Sequence, residues 1–384
     1  MKDPVNETQV FGYQPIGAAP KRRKRRGKGL PTLLVTALVV GLGAWFGFIK
    51  HYPYVIESPG PTLNVLAVEN GVPFVQVPGH EPGPKEGKLR MVTVSLRGGP
   101  GNRNVTGIEM LQAYFSNSMK IEPYEKMFPE QISGAEETKI QRQYMESSMD
   151  NAKAAALTAA GIKFKSEIRV AGVAKNSDAI GKMEPGDIIR HLKAGERSEN
   201  VDSTAELYRF LNNTPGGTVV TVGLETDKGE NKEVEVKTLP RDDGKSGSRF
   251  GVYIGTKFEF PMDIKINVSE NIGGPSAGTI FALAIYERIK GNELSGIGSV
   301  AGTGTIAPDG EVGPIGGVVQ KIYGAKRDGA KFFLIPNENC KDLSGHRLPS
   351  GIQIVRTDDF KMAINNLESI NQGKTDDLPT CPAE

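Results

Sequence analysis

One serine stands out by its neighbours. Ser276 lies in Gly273-Gly274-Pro275-Ser276-Ala277-Gly278, directly ahead of an apolar run. Glycines let a backbone approach a substrate carbonyl closely, and unsatisfied N–H groups at a helix start suit a developing oxyanion. Gly274 and Ala277 are the candidate donors. A serine there is equally an ordinary, inert helix N-cap. As a nucleophile it needs a base, and two arrangements compete. Gly274 to Gly278 fits G-x-S-x-G, the strand–turn–helix signature of one hydrolase class. That chemistry needs a later acid and histidine, and His346 is the sole histidine after Ser276. The serine comes eight positions after the strand end at Val268, where a sharp turn is required, and no HGGG-type run precedes it.

The second arrangement uses a lysine. An ordinary lysine, with a pKa of about 10.4, is charged at neutral pH. Buried among apolar groups it becomes neutral and can take a proton from serine. In the run Gly313-Pro314-Ile315-Gly316-Gly317 and the helix after it, Val318, Ile322 and Ala325 share one face and Lys321 lies at its edge. Most lysines snorkel to solvent instead. Lys326 and Lys331 are rivals, and spacing alone leaves the choice open.

The elements that must position these groups follow from pattern. Leu89 to Leu96 reads as a strand, residues 107–120 as a short amphipathic helix, and Glu136 to Ala160 as a long helix stopped by Gly161. A separate unit follows: a strand at Ile168–Val173, a helix at Ser203–Leu211, and strands at Thr218–Glu225 and Lys232–Leu239. Asp243 to Ser248 reads as a linker. From Phe250, strands (Met262–Val268, Gly298–Gly302, Thr305–Ala307, Lys331–Ile335, Ile352–Val355) alternate with helices (Ala277–Ile289, a helix to about Asp328, Asp358–Ile370), an α/β pattern.

Two resemblances sharpen this. GGPSAG at 273–278 followed by GPIGGVVQKIYGAKRDGAKFFLIP at 313–336 resembles the Lon-type Ser-Lys protease domain. The resemblance makes Ser276 the nucleophile and Lys321 the base, 45 residues apart. It gives Thr303, in Thr303-Gly304, the task of positioning the lysine. Two departures touch the tuning of this dyad: Thr305 replaces the glutamate of the family's T-G-E, and Gly273 stands where the family has an acidic residue. The stretch 161–242, with its Asn176-Ser177-Asp178-Ala179 and Met183-Glu184-Pro185-Gly186-Asp187-Ile188-Ile189 runs, resembles a bacterial PDZ domain. A peptide-carboxylate loop is then expected near Ala160–Phe164. KLRMVTVSL and SSMDNAKAAALTAAG resemble the early strand and helix of Lon-type domains, so the PDZ unit interrupts the protease domain.

Composition places the chain. Of 384 residues, 47 are Lys or Arg and 45 Asp or Glu, a net charge of +2. The first 30 residues carry +6, leaving −4 for the rest. The basic cluster Lys21 to Lys28 precedes Leu30–Ile49, 20 residues without a charge and enough for a bilayer core. Positive charge stays cytoplasmic, so the expectation is a single-pass cell-membrane protein with its N-terminus inside. Its protease and PDZ domains would be extracytoplasmic, and no nucleic-acid role follows from the basic arm. Four scattered histidines and no HExxH give no metal site, and no cofactor is expected. No G-x-x-x-x-G-K-[ST] run occurs, so no ATPase module is read. Cys340 and Cys381 can pair in an oxidising exterior, but spacing gives no geometry.

The expected organisation is a cytoplasmic tail (1–29), a transmembrane helix (30–50), the first part of an α/β (α+β) Lon-type domain (51–160), a β-rich PDZ insertion (161–242), the catalytic part (243–372) and a tail (373–384). The whole resembles the membrane-anchored, PDZ-containing Lon-like proteases of bacteria (YlbL-like). This implies ATP-independent cleavage of protein or peptide substrates, and a hexamer by resemblance. The competing expectation is an inactive PDZ scaffold or holdase at the membrane.

Overall fold

The computed structural model describes residues 29–80, 87–100, 105–128, 133–242, 244, 246–291 and 294–382. The basic cluster at 21–28 and the linker residues Asp243 and Lys245 lie outside them. The chain forms two compact units, Met1–Lys50 and His51–Glu384. In the first, the uncharged run is divided: α1 (Gly29–Ala44) has 16 residues, and Trp45–Ile49 follows as a π-helical turn. At about 1.5 Å per residue α1 is about 24 Å long. Among the described residues no helix is long and apolar enough to cross a membrane.

The second unit opens with β1 (Tyr54–Asn64), β2 (Lys88–Arg97), α2 (Gly107–Tyr114), β3 (Lys120–Pro123) and α3 (Gly134–Ala160). Ser133 caps α3 through a capping box with Glu136, and Gly161, at φ 77°, ends it. An insertion follows: β4 (Lys165–Val173), β5 (Ile188–Ala194), β6 (Arg197–Asn200), α4 (Thr204–Asn212), β7 (Val219–Glu225), β8 (Asn231–Lys237) and β9 (Val252–Glu259). The chain then returns with α5 (Gly278–Lys290), β10 (Ser299–Gly302), α6 (Val318–Arg327), β11 (Phe332–Pro336), β12 (Gln353–Thr357) and α7 (Phe360–Asn371).

A six-stranded sheet joins both ends of this unit in the order β12-β11-β10-β2-β1-β3. Its seam is the parallel pairing of Ser299–Gly302 with Lys88–Met91, so residues far apart in sequence form one sheet. Alternation along the strands fills both faces. Leu89, Met91, Val300 and Leu334 face α3, α5 and α7, whereas Val92, Ala301, Phe333 and Ile335 face α6. This mixed α/β layering agrees with the expected fold class.

The insertion has its own core, built on Ile168, Val170, Leu207, Phe210, Val220 and Val222. Its sheet runs β8-β7-β5-β4-β9, with β6 on β5. Its limit differs from the expected 242: β9 pairs with β4 from Val252↔Val173 to Glu259↔Lys165, and Phe250 is buried in the same core. The strand after the linker therefore belongs to the insertion, a long-range pairing that no local pattern signals. β9 ends the sheet, and α4 lies beside it, with Thr204 Oγ1 3.1 Å from Thr256 Oγ1. The expected carboxylate loop at Ala160–Phe164 adjoins the Glu259 end of β9. The turn at Arg249–Gly251 adjoins the other end, near the C-terminus of α4, where Ser248 Oγ donates to the Leu211 carbonyl.

Candidate active site

Lys321 is placed by its helix. Gly317 caps α6 at φ 65°, and Lys321 N–H donates to its carbonyl over 3.0 Å. A Cβ at Gly317 would stand 2.6 Å from Val94 Cγ2, so the turn sits hard against β2. Further along α6, Arg327 donates to the carbonyls of Pro59 and Gly60, at a bulge in β1. Val318, Ile322 and Ala325 are buried, as their shared face requires, and Lys321 itself is 3% exposed. The rival lysines differ: Lys326 is half-buried and donates to the Gly351 carbonyl, and Lys331 is exposed.

Burial holds the Lys321 ammonium down to about 7 from an ordinary 10.5, with the Glu57 carboxylate drawing it partly back up. Glu57 lies on β1, and burial raises its own pKa. Lys321 Nζ donates to Thr303 Oγ1 over 3.2 Å, and Thr303 Oγ1 donates to the Ser276 carbonyl over 2.9 Å. Gly304 N–H donates to that same carbonyl at 2.9 Å. The Thr303-Gly304 pair therefore links lysine and serine through the serine's backbone. Ser276 and Lys321 line one cavity of about 560 Å³, with Glu57, Val94, Met145 and Gly317 among its walls. No hydrogen bond between Ser276 Oγ and Lys321 Nζ occurs among the described residues; such bonds are often long before substrate binds.

Ser276 is held at the mouth of α5. Ala277 is the N-cap, and α5 begins at Gly278, one residue later than the sequence suggests. Ser148 of α3 donates to the Pro275 carbonyl over 2.9 Å, and a Cβ at Gly278 would stand 2.8 Å from Ser148 Oγ. Gly274 N–H donates to the Gln141 carbonyl over 3.0 Å. That bond takes Gly274 away from its expected oxyanion role and leaves Ala277 as the candidate donor. His346 is exposed and lies beside a different cavity, so the G-x-S-x-G arrangement has no histidine at Ser276.

Both departures have local explanations. A Cβ at Gly273 would stand 2.6 Å from Gln141 Cβ, so α3 occupies the space of an acidic side chain. Thr305 pairs with Gly313 in a short hairpin, and its hydroxyl fills the space over that glycine. Sequence reading missed Glu57, Gln141 and Ser148. Only Glu57 carried a signal, as a carboxylate directly after the apolar run Tyr54-Val55-Ile56 that opens β1.

Cys340 and Cys381 form a disulfide with a Cα–Cα distance of 5.4 Å, answering the question their spacing left open. Among the described residues no cluster of His, Cys, Asp or Glu is arranged to hold a metal.

Comparison with known proteins shows what parts of the chain are similar to. Residues 254–370 match the Lon protease (S16) C-terminal proteolytic domain. The chain is 35% identical over 122 residues to a Lon protease of Haemophilus influenzae and 30% identical over 182 residues to one of Mesomycoplasma hyopneumoniae. These alignments take in 31% and 41% of this chain but only 14% and 20% of the relatives. The family match falls in the last third of the chain and supports a serine peptidase domain there. Among solved structures, the PDZ domains of SdrC-like proteins from Listeria innocua and Listeria monocytogenes are similar, each over 23% of this chain. They cover 92% and 85% of those domains, at 20% and 18% identity and a TM-score of 0.20.

Proposed function

We propose that this protein is a membrane-anchored, ATP-independent serine endopeptidase that cleaves unfolded or regulatory extracytoplasmic proteins through a Ser276–Lys321 dyad. The observation that carries the reading is the buried, near-neutral Lys321, joined through Thr303 to Ser276 in a shared cavity. Neutral Lys321 takes the Ser276 proton as Oγ attacks a peptide carbonyl. The Ala277 N–H at the start of α5 receives the oxyanion, a contribution of about 2.7–4 kcal/mol for one donor in a comparable protease. The Lys321 ammonium then protonates the departing amine, and the neutral amine activates water to release the acyl group. Thr303 holds Nζ on the serine side throughout.

The inserted β-rich unit serves as a PDZ domain. An extended peptide adds to the edge of β9 beside α4, its carboxylate near the Arg249–Gly251 turn. The apolar stretch 30–49 anchors the chain with the basic cluster on the cytoplasmic side, which places the Cys340–Cys381 bond in an oxidising exterior.

Digestion of an unfolded protein by the full chain, without nucleotide, tests the reading. Ser276→Ala and Lys321→Met should each abolish cleavage, and added ATP should change nothing. Undiminished cleavage by either variant would sink the dyad. Alkaline extraction of membranes tests the anchor, since a chain starting at residue 51 should leave the membrane fraction.

A further inference from the structure

The turn that delivers Lys321 is braced by a buried side chain from the segment after β11. Gly316 and Gly317 line the Ser276 cavity, and the turn they belong to is held by one side chain. Asn339 Oδ1 accepts from Ile315 N–H over 2.9 Å, and Asn339 Nδ2 donates to the Ile315 carbonyl over 2.8 Å. The amide thereby does for Ile315 what a neighbouring strand would do. Nδ2 also donates to Asp342 Oδ2 over 2.7 Å. Two acceptors, a carbonyl and a carboxylate, require the donor end there, which fixes the orientation of the amide. Asn339 is 1% exposed, and a polar group so buried is stable only while it is bonded. The next residue, Cys340, is tied to Cys381, and both cysteines pack on the core that buries Ile322 and Ala325 of α6.

We propose that Asn339, fixed from behind by the Cys340–Cys381 bond, is a positioning residue that sets the Gly313–Gly317 turn and so places Lys321 against Thr303. The inference rests on the protease reading for its kinetic consequence but not for its geometric one. With the brace removed, two consecutive glycines are free to move, Nζ leaves Thr303, and water enters beside the lysine. The charged and titratable groups around this side of Lys321 are Glu57 on β1, Lys120 on β3, and Lys341, Asp342 and His346 in the segment after β11. Changing Asn339 to alanine keeps all of them in place, and of them Asp342 alone loses a hydrogen bond from Asn339.

The test uses the full chain and three variants, Asn339→Ala, Asn339→Asp and Cys340→Ser/Cys381→Ser. In Asn339→Ala, kcat should fall about tenfold with little change in KM. The acidic limb of its pH profile should move to higher pH by about one unit as water solvates the lysine. Asn339→Asp keeps an acceptor for Ile315 N–H but turns its second oxygen on the Ile315 carbonyl and the Asp342 carboxylate, so it should lose at least as much as Asn339→Ala. Amide hydrogen exchange gives a readout independent of activity. Residues 313–320 should exchange faster in Asn339→Ala and in the double-cysteine variant, while the α3 and α5 amides keep their protection. Unchanged exchange in Asn339→Ala overturns the inference whether or not the wild type cleaves anything. Unchanged exchange in the cysteine variant overturns the part given to the disulfide. A kcat loss with an unmoved acidic limb also overturns it. Absence of wild-type cleavage, with the exchange result intact, overturns the protease reading alone.

Discussion

Lys321 donates from Nζ to Thr303 Oγ1 over 3.2 Å, and that hydroxyl passes its own hydrogen to the Ser276 carbonyl. A donor hydroxyl already committed to a carbonyl offers Lys321 a lone pair, and it holds whichever form of the amine is present. The same threonine fixes where Ser276 sits and where the lysine points. Thr303→Val keeps the shape and removes both bonds. Its kcat should fall about tenfold to a hundredfold, with KM nearly unchanged, since a buried hydrogen bond of this kind is worth about 1–3 kcal/mol when its partner is left behind. Thr303→Ser should recover most of the activity. Equal loss in the serine and valine variants would remove the hydroxyl from the mechanism.

The acidic limb of activity should report Lys321. Its amine gains a proton near pH 7, so kcat should fall as pH drops through that value. The Glu57 carboxylate favours the charged amine and raises this pKa. Glu57→Gln removes that pull, so the limb should move to lower pH and the variant should keep more of its activity at pH 6. A limb that stays put, or moves up, would separate Glu57 from Lys321.

The same burial predicts a pH-dependent stability. Lys321 loses its proton near 7 when folded and near 10.5 when unfolded. Between those values the unfolded chain binds the extra proton, so stability rises with pH, by up to about 1.4 kcal/mol per unit. Below the folded value the penalty of the buried amine is fully present. Lys321→Met supplies a flexible apolar chain of similar reach and carries no such penalty. It should be more stable than wild type at pH 6, with an advantage that shrinks by roughly 2–3 kcal/mol at pH 9. Chemical denaturation at both pH values measures this, and an advantage independent of pH would mean that the lysine is charged and solvated.

Much of this site was legible because its parts are local. The glycines around Ser276, the Gly316-Gly317 cap of α6 and the apolar face of Val318, Ile322 and Ala325 lie within a few residues of the groups they position. The Gly161 stop of α3 was readable for the same reason, whereas its Ser133 cap was not. Partners from distant segments were not. Glu57 and Gln141 reach the cavity only because β1 and α3, encoded before the insertion, close on α5 and α6, encoded after it. The pairing of β9 with β4 was hidden likewise, since alternation shows that a strand exists and not which strand it joins. Asn339 carried no mark beyond its neighbour Cys340.

Gly273 gives the last prediction, because the sequence alone suggests the opposite. By resemblance an acidic side chain belongs there, and restoring it looks like a gain in activity. A Cβ at this position would stand 2.6 Å from Gln141 Cβ and 3.2 Å from the Gln141 backbone carbon and oxygen. The Gln141 carbonyl is the acceptor for Gly274 N–H, so displacing α3 there breaks the bond that holds the segment leading to Ser276. An added carboxylate would also stand near Glu137, to which Gln141 Nε2 donates over 2.8 Å. Gly273→Ala should therefore cost about 1–3 kcal/mol from overpacking. Gly273→Asp should cost at least as much and lower kcat rather than raise it. Gln141→Gly removes the Gln141 Cβ while leaving the backbone carbonyl in place, at a cost of about 1 kcal/mol in helix propensity. Gly273→Asp should cost less in the Gln141→Gly background than in the wild type, read as a smaller drop in thermal midpoint. A stable and more active Gly273→Asp single variant would show that α3 does not occupy the space assigned to it.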